Sequence, residues 1–239
     1  KEKKKYDVEL EAVAIRKSRI TFDVLSEAHR DSGKFDKNHI SISHLRGDII
    51  IPKIKNDSVE IDIKRFAFME QSGFILSDLT MNVNVYPDRM SVKNLKVALP
   101  NSLVVPEDID VSYESLQTIG TDIKKSPLSL VIVNSYVNLS DFSAFVPELK
   151  NLREPVYITC SVKGNMEKVR IETIDLSTEN EALTLKTSGY LFHVGDKKRM
   201  SIVLPNIRLH SEAGDMLEKV KASAPVKPEV ADIISAVDF

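Results

Sequence analysis

Tryptophan is absent from the 239 residues, aromatics make up only 6%, and cysteine occurs once. Sugar sites and single-strand nucleic-acid sites both lean on aromatic platforms, so this scarcity counts against both. A lone cysteine excludes an intrachain disulfide and a thiolate metal cage. Cys160 sits in the run Val156-Tyr157-Ile158-Thr159-Cys160-Ser161-Val162 and reads as a small buried hydrophobe rather than a nucleophile. Glycine is scarce at eight residues, and no Gly-x-Gly-x-x-Gly, phosphate loop or Gly-x-Ser-x-Gly elbow occurs. Thirty-three bases against 35 acids leave a net charge of −2, without the basic excess of a nucleic-acid surface. The basic opening KEKKK reads as a solvated end. No apolar run approaches the ~18 residues of a membrane span. The longest, Leu130-Val131-Ile132-Val133, suits a strand buried on both faces. The chain begins without Met and stops at ADIISAVDF without a terminal turn, so we expect a piece of something longer.

Catalytic and metal-binding patterns are equally sparse. Of His29, His39, His44, His193 and His210, only His39 and His44 are close, and no His-x-His or helical i, i+4 pair exists. The stretch DSGKFDKN (31–38) lacks the alternating acids and bidentate Glu of a calcium loop and reads as a turn. Glu107-Asp108-Ile109-Asp110 reads as an acidic solvated edge rather than a glycosidase pair. The expectation is a non-enzyme, with no catalytic residue, no cofactor and no metal site.

What is present is period-two alternation. Tyr6, Val8, Leu10 and Ala12 alternate with polar neighbours, as do Val59, Ile61 and Ile63, then Met81, Val83 and Val85, Ile158, Cys160 and Val162, and Leu183 and Leu185. Turn residues punctuate them at Asp31-Ser32-Gly33, Gln71-Ser72-Gly73, Pro100-Asn101, Gly164-Asn165 and Gly195-Asp196. A strand every ten or so residues predicts an extended antiparallel sheet, a sandwich or a barrel. Two or three short helices are expected to interrupt it. Ser140 or Asp141 would cap one running to Lys150 around Pro147, Ser211 one over 212–221, and Pro228 would open one over 229–237. Strand residues should outnumber helical ones by at least two to one.

Three segments share an odd step. His39 to Leu45, Arg89 to Leu95 and Lys168 to Ile174 each have apolar residues at positions 2, 4 and 7. On a regular strand position 7 would fall on the wrong face, and a β-bulge restores it while bending the strand. Bends are therefore predicted at Ser43-His44, Lys93-Asn94 and Glu172-Thr173. Repeated bends at equivalent points curl a sheet in one direction, and units unable to bury their apolar face alone must stack on neighbours. If the sheet closes, that face is a sandwich core. If it stays open, it lines a groove, and an acyl chain of ~10 methylenes at ~0.8 kcal/mol each would gain about 8 kcal/mol there before ordering costs. An open apolar surface of that size would need a lipid or protein occupant. The groove candidates are Met81, Val83, Val85, Met90, Val92, Leu95, Val97, Val169, Ile171, Ile174 and Leu176.

The segment Ser72 to Ser102 (SGFILSDLTMNVNVYPDRMSVKNLKVALPNS) resembles the repeat of the AsmA-like, translocation and assembly module (TamB) family, and so does Gly164 to Phe192. The recurring features are Gly164, then Val169, Ile171, Ile174 and Leu176, then Leu183, Leu185 and Gly189. The strand-helix-strand units around Leu139 to Pro155 and Leu209 to Pro228 are similar too, and the likeness spans residues 40 to 239 as a pattern without a catalytic signature. The resemblance implies a mainly β chain, an extended, curled antiparallel β-repeat sheet forming an open, taco-like groove. Approximate units are 1–105, 106–192 and an incomplete 193–239. It implies a periplasmic location, tethered to the inner membrane by a segment absent from this chain. It implies that a phospholipid or other acyl lipid is shielded between the inner and outer membranes, and that an outer-membrane barrel protein is a partner in protein assembly. Membrane contact would come through other parts of the protein, and no nucleic acid is expected. The rival readings are a cell-surface adhesion or glycan-binding β-sandwich and a β-helical carbohydrate-active enzyme, the latter disfavoured by low glycine and the interrupting helices.

Overall fold

A computed structural model of the chain describes residues 11–29, 33–55, 58–115, 124–196 and 198–211. The period-two segments become thirteen strands: β1 (Ala12–Asp23), β2 (His39–Lys55), β3 (Ser58–Glu70), β4 (Ile75–Leu76), β5 (Asp78–Val85), β6 (Arg89–Ala98), β7 (Leu103–Val104), β8 (Ile109–Ser112), β9 (Leu128–Asn138), β10 (Pro155–Asn165), β11 (Lys168–Thr178), β12 (Leu183–Phe192) and β13 (Ser201–Ser211). All belong to one antiparallel sheet in the order β1-β2-β3-β5-β6-β7-β9-β10-β11-β12-β13, with β4 beside β3 and β8 beside β6. It is an extended meander. Among the described residues β1 pairs only with β2, and β13 only with β12, so the sheet does not close into a barrel.

The joint between the two halves is built from short pieces. β8 pairs with the start of β6 (Met90 opposite Val111) and β7 with its end (Val97 opposite Val104). β7 then meets β9, Leu103 opposite Tyr136. The Ser135 hydroxyl, 1% exposed, locks this joint by accepting the Val105 N–H at 2.9 Å and donating to the Val133 carbonyl at 3.0 Å.

The three predicted bends are present. Opposite β5, the partner of Asn82 is Lys93 but that of Thr80 is Lys96, so β6 carries one extra residue. The same excess occurs in β2 opposite β1, where Ser18 faces Leu45 and Ile20 faces Ile42. In β11 it occurs opposite β12, where Ile171 faces Gly189 and Ile174 faces Thr187. Asn94 (φ 52°) and His44 (φ 54°) take the left-handed conformation that admits the extra residue, and Asn and His are among the residues that tolerate it. Equivalent shifts occur at Lys17 in β1 (φ 48°), at Asn134 in β9 (φ 51°) and in β13 between Val203 and Asn206.

The helix expected over 141–150 is corrected. The segment forms two 3-10 turns, Leu139–Phe142 and Pro147–Asn151, and no α-helix. Pro147 supplies no N–H and disfavours helical backbone at Val146, which is extended (φ −133°, ψ 92°). The cap is Asn138, whose side-chain oxygen accepts the Ser140 N–H, while Asp141 is engaged elsewhere. The helices expected over 212–221 and 229–237 lie outside the described residues. Among the described residues no helix is long and apolar enough to cross a membrane.

A single layer has little interior. Only Leu45, Val111, Tyr113, Ala144 and Ile171 form the buried apolar core of the described residues. Most apolar side chains on the strands remain half-buried.

Candidate functional site

Residues directly opposite one another on paired strands point to the same side of a sheet. Val83 lies opposite both Ile61 and Val92, Val85 opposite Val59 and Met90, and Met81 opposite Ile63. Val92 and Met90 continue onto Ile109 and Val111. Val97 faces Leu79 and Val104, and the bulge at Asn94 returns Leu95 to the side of Val97. In the second half Ile174 faces Cys160, Leu176 faces Ile158 and Leu185, and Val169 faces Leu191. Ile171 faces Val162 and Gly189. All eleven sequence-derived groove candidates therefore share one face.

That face extends beyond them. At one edge Val13 faces Ile49, Ile20 faces Ile42 and Phe22 faces Ile40. At the other, Leu209 faces Leu185 and Ile202 faces Leu191. Across the joint, Ile132 lies opposite Cys160 and bridges to Pro106. One apolar surface thus crosses the whole sheet from β1 to β13. In β1 and β9 a polar residue hides the step from the sequence, since Ser18 and Ser135 occupy position 7; in β13 the step is apolar (Ile202, Leu204, Ile207) but was not read.

The opposite face is mostly polar, apart from a patch of Ala98, Leu103, Tyr136 and Tyr157 at the joint, and is tied by ion pairs. Lys64 meets Asp62 at 3.0 Å, Lys163 meets Glu172 at 3.1 Å, and Lys186 meets Asp175 at 2.8 Å. Arg16 meets Asp48 across β1 and β2. The Lys64 ammonium and the Asn82 amide hold the Asp62 carboxyl below its usual range, and Lys163 and Ser161 do the same for Glu172. Asp175 raises Lys186. Exposed pairs of this kind add little to stability, but together they keep this side wetted.

Exposure varies along the apolar face. Ile171, opposite Val162 and Gly189, is 2% exposed; β13 approaches Gly189 so closely that a Cβ there would stand 2.1 Å from the Val203 carbonyl oxygen. Burial raises the pKa of the Cys160 thiol on the same face, which leaves it protonated and poorly nucleophilic at neutral pH. At the edges Phe22, Ile202 and Ile207 are each more than half exposed.

One end of the face is covered by an aromatic cluster that the sequence reading missed. Phe68 of β3 packs near Phe74 (ring centroids 6.2 Å), Phe74 against Phe145 (5.1 Å), and Phe145 against Phe35 of the β1–β2 loop (5.1 Å). The Phe35 N–H donates to the Ala144 carbonyl at 2.9 Å. Asp141 fixes the 3-10 segment to the β6–β7 turn by accepting from Ser102 Oγ (2.6 Å) and from the Asn101 backbone and side-chain N–H groups (3.0 and 2.9 Å). Three of the four phenylalanines stand in loops, where period-two patterning carries no information. Elsewhere, Tyr113 Oη reaches the carbonyls of Tyr86 (2.5 Å) and Arg89 (2.8 Å) and braces the β5–β6 turn; burial, then the Asp88 charge, raises its pKa.

No protein-family model matches this chain, and neither does any curated protein or solved structure.

Proposed function

We propose that the chain is a non-enzymatic segment of a cell-envelope protein whose apolar sheet face shields lipid acyl chains. The observation that carries this reading is the single apolar surface running from β1 to β13 on a sheet that does not close, with most of its side chains only half-buried. An acyl chain lying on that surface would remove water from both partners, at about 25 cal/mol for each Å² covered. The ion-paired opposite face suits an aqueous compartment. The likeness to AsmA-like repeats in Ser72 to Ser102 and Gly164 to Phe192 supports a periplasmic setting, lipid passage toward the outer membrane and a barrel protein as assembly partner. An adhesion or glycan-binding sandwich would set a second sheet against this face; the thirteen described strands form one sheet.

The test places a photoreactive residue at position 85 and extracts the purified protein for lipid mass spectrometry. Acyl lipid crosslinked at position 85, and lost in Val92→Arg with the fold retained, supports the reading. Absence of any lipid adduct in a folded parent protein would overturn it.

A further inference from the structure

The corner between β1 and β2 gathers three metal-binding side chains. Asp23, the last residue of β1, lies directly opposite His39, the first of β2, so both project from the same side of the sheet. That side is the polar one, since Phe22 and Ile40 next to them belong to the apolar face. His29, from the connecting loop, stacks on the His39 ring with centroids 3.7 Å apart and planes at 30°. One ligand atom from each of Asp23, His29 and His39 lies within 4.8 Å of the others.

The surroundings of His39 resemble those of a held ligand. The residue is 2% exposed, and its Nδ1 lies 2.9 Å from Oδ2 of Asp36, itself 4% exposed. The other carboxylate oxygen of Asp36 accepts the Asn38 N–H at 3.0 Å. A carboxylate that takes the Nδ1 proton fixes the ring and its tautomer and leaves Nε2 as a lone-pair donor, the arrangement that supports metal-binding histidines.

We propose that Asp23, His29 and His39 bind a divalent transition-metal ion of the zinc class, with Asp36 as a positioning residue for His39. Two imidazole nitrogens and one carboxylate suit zinc rather than calcium or magnesium, which take oxygen ligands. Three protein ligands leave a fourth tetrahedral position for water. The ion ties the β1–β2 loop to the sheet corner, and the same loop delivers Phe35 to the aromatic cluster. The site therefore steadies the cover over one end of the apolar face, whatever that face carries.

The sequence reading passed over these residues because ten positions separate the two histidines and only strand pairing places Asp23 beside them. The test titrates the chelator-treated full chain with Zn²⁺ by calorimetry and with Co²⁺ by visible absorption. The parent protein should bind one equivalent, with Co²⁺ bands typical of nitrogen ligation, and its melting temperature should rise with Zn²⁺. His29→Ala, which alters an exposed loop side chain, should abolish binding and the melting shift while keeping the β spectrum. Asp36→Asn should weaken affinity about 10–100-fold and keep the Co²⁺ bands. His193→Ala, far from the corner, should change nothing. Failure of the parent to bind a stoichiometric ion, or binding that His29→Ala leaves intact, overturns the proposal.

Discussion

The corner where β1, β2 and β3 end and the β13 edge expose the same apolar face to different fates. At the corner the chain covers itself. Residues 24–29, 33–38 and 139–154 reach over the strand ends, stack Phe145 between Phe35 and Phe74, and leave Ala144 only 5% exposed. At β13 no described segment covers the face, and Ile202 and Ile207 stand 56% and 57% exposed. The hairpins nearer that edge are tight: two residues, 166–167, join β10 to β11, and four, 179–182, join β11 to β12. Among the described residues cover comes from long connections, since these residues form no second sheet. Stability should therefore concentrate at the corner and in the few strand positions that pack fully.

Substitutions at contrasting positions test this contrast. The largest effect is expected for Ile171→Glu, which places an unpaired carboxylate at a 2% exposed position against Gly189. The loss should be roughly 4 kcal/mol or more in urea unfolding followed by circular dichroism. A shift below 1 kcal/mol would mean that the second half is as open at β11 as at β13.

Phe145→Ala comes next. It removes two ring contacts at 5.1 Å and should cost about 1–3 kcal/mol. Hydrogen exchange should rise in the segment 139–151 and at Phe35, but not in β11 or β12. Uniform loosening of the whole sheet would erase the distinction between corner and edge.

Ile207→Glu should change stability by no more than about 0.5 kcal/mol, because the side chain is already mostly in water. It should still reduce acyl-lipid crosslinking on that side of the sheet. Unchanged crosslinking would confine any lipid path to the covered half.

The smallest effect is electrostatic. Lys64 and Asn82 hold the Asp62 carboxyl below its ordinary value of 3.8. A depressed folded pKa adds stability that is present above the unfolded value and disappears as pH falls through the folded one. Asp62→Asn should therefore flatten the loss of stability below about pH 4 by less than about 0.5 kcal/mol, since the pair is partly solvated. An equal acid slope in parent and variant would show that the ion pairs of the polar face add nothing measurable.

The bends were legible because register is unforgiving. Ile40, Ile42 and Leu45 can share a face only if Ser43-His44 absorbs one residue, and the paired strands show that they do. The same logic holds in β1 (Val13, Ile15, Ser18, Ile20) and in β9 (Leu130, Ile132, Ser135, Val137), but serine at the third site disguised it. Ser135 is there for its hydroxyl, which the β7–β9 joint uses. The segment 141–150 misled because local capping signals suggested a helix, while Pro147 and the tertiary bonds of Asp141 favoured two separate turns. The aromatic cluster and the Asp23–His29–His39 corner were illegible because each joins residues that only long-range pairing brings together.

Antiparallel hydrogen bonds run perpendicular to their strands, so in a one-layer meander they lie along the direction in which strands succeed one another. Eleven neighbours at ~4.8 Å spacing give a contour of about 48 Å along that direction. A pull across the sheet, from β1 towards β13, loads the ladders in series, and the weakest opens rung by rung. The two-residue β7, which meets β9 through Leu103 and Tyr136, is the place where such peeling would start. A pull along β11 instead loads the ladders to β10 and β12 in shear, with many bonds sharing the force. The molecule is mechanically soft along its ladder direction and stiff across it.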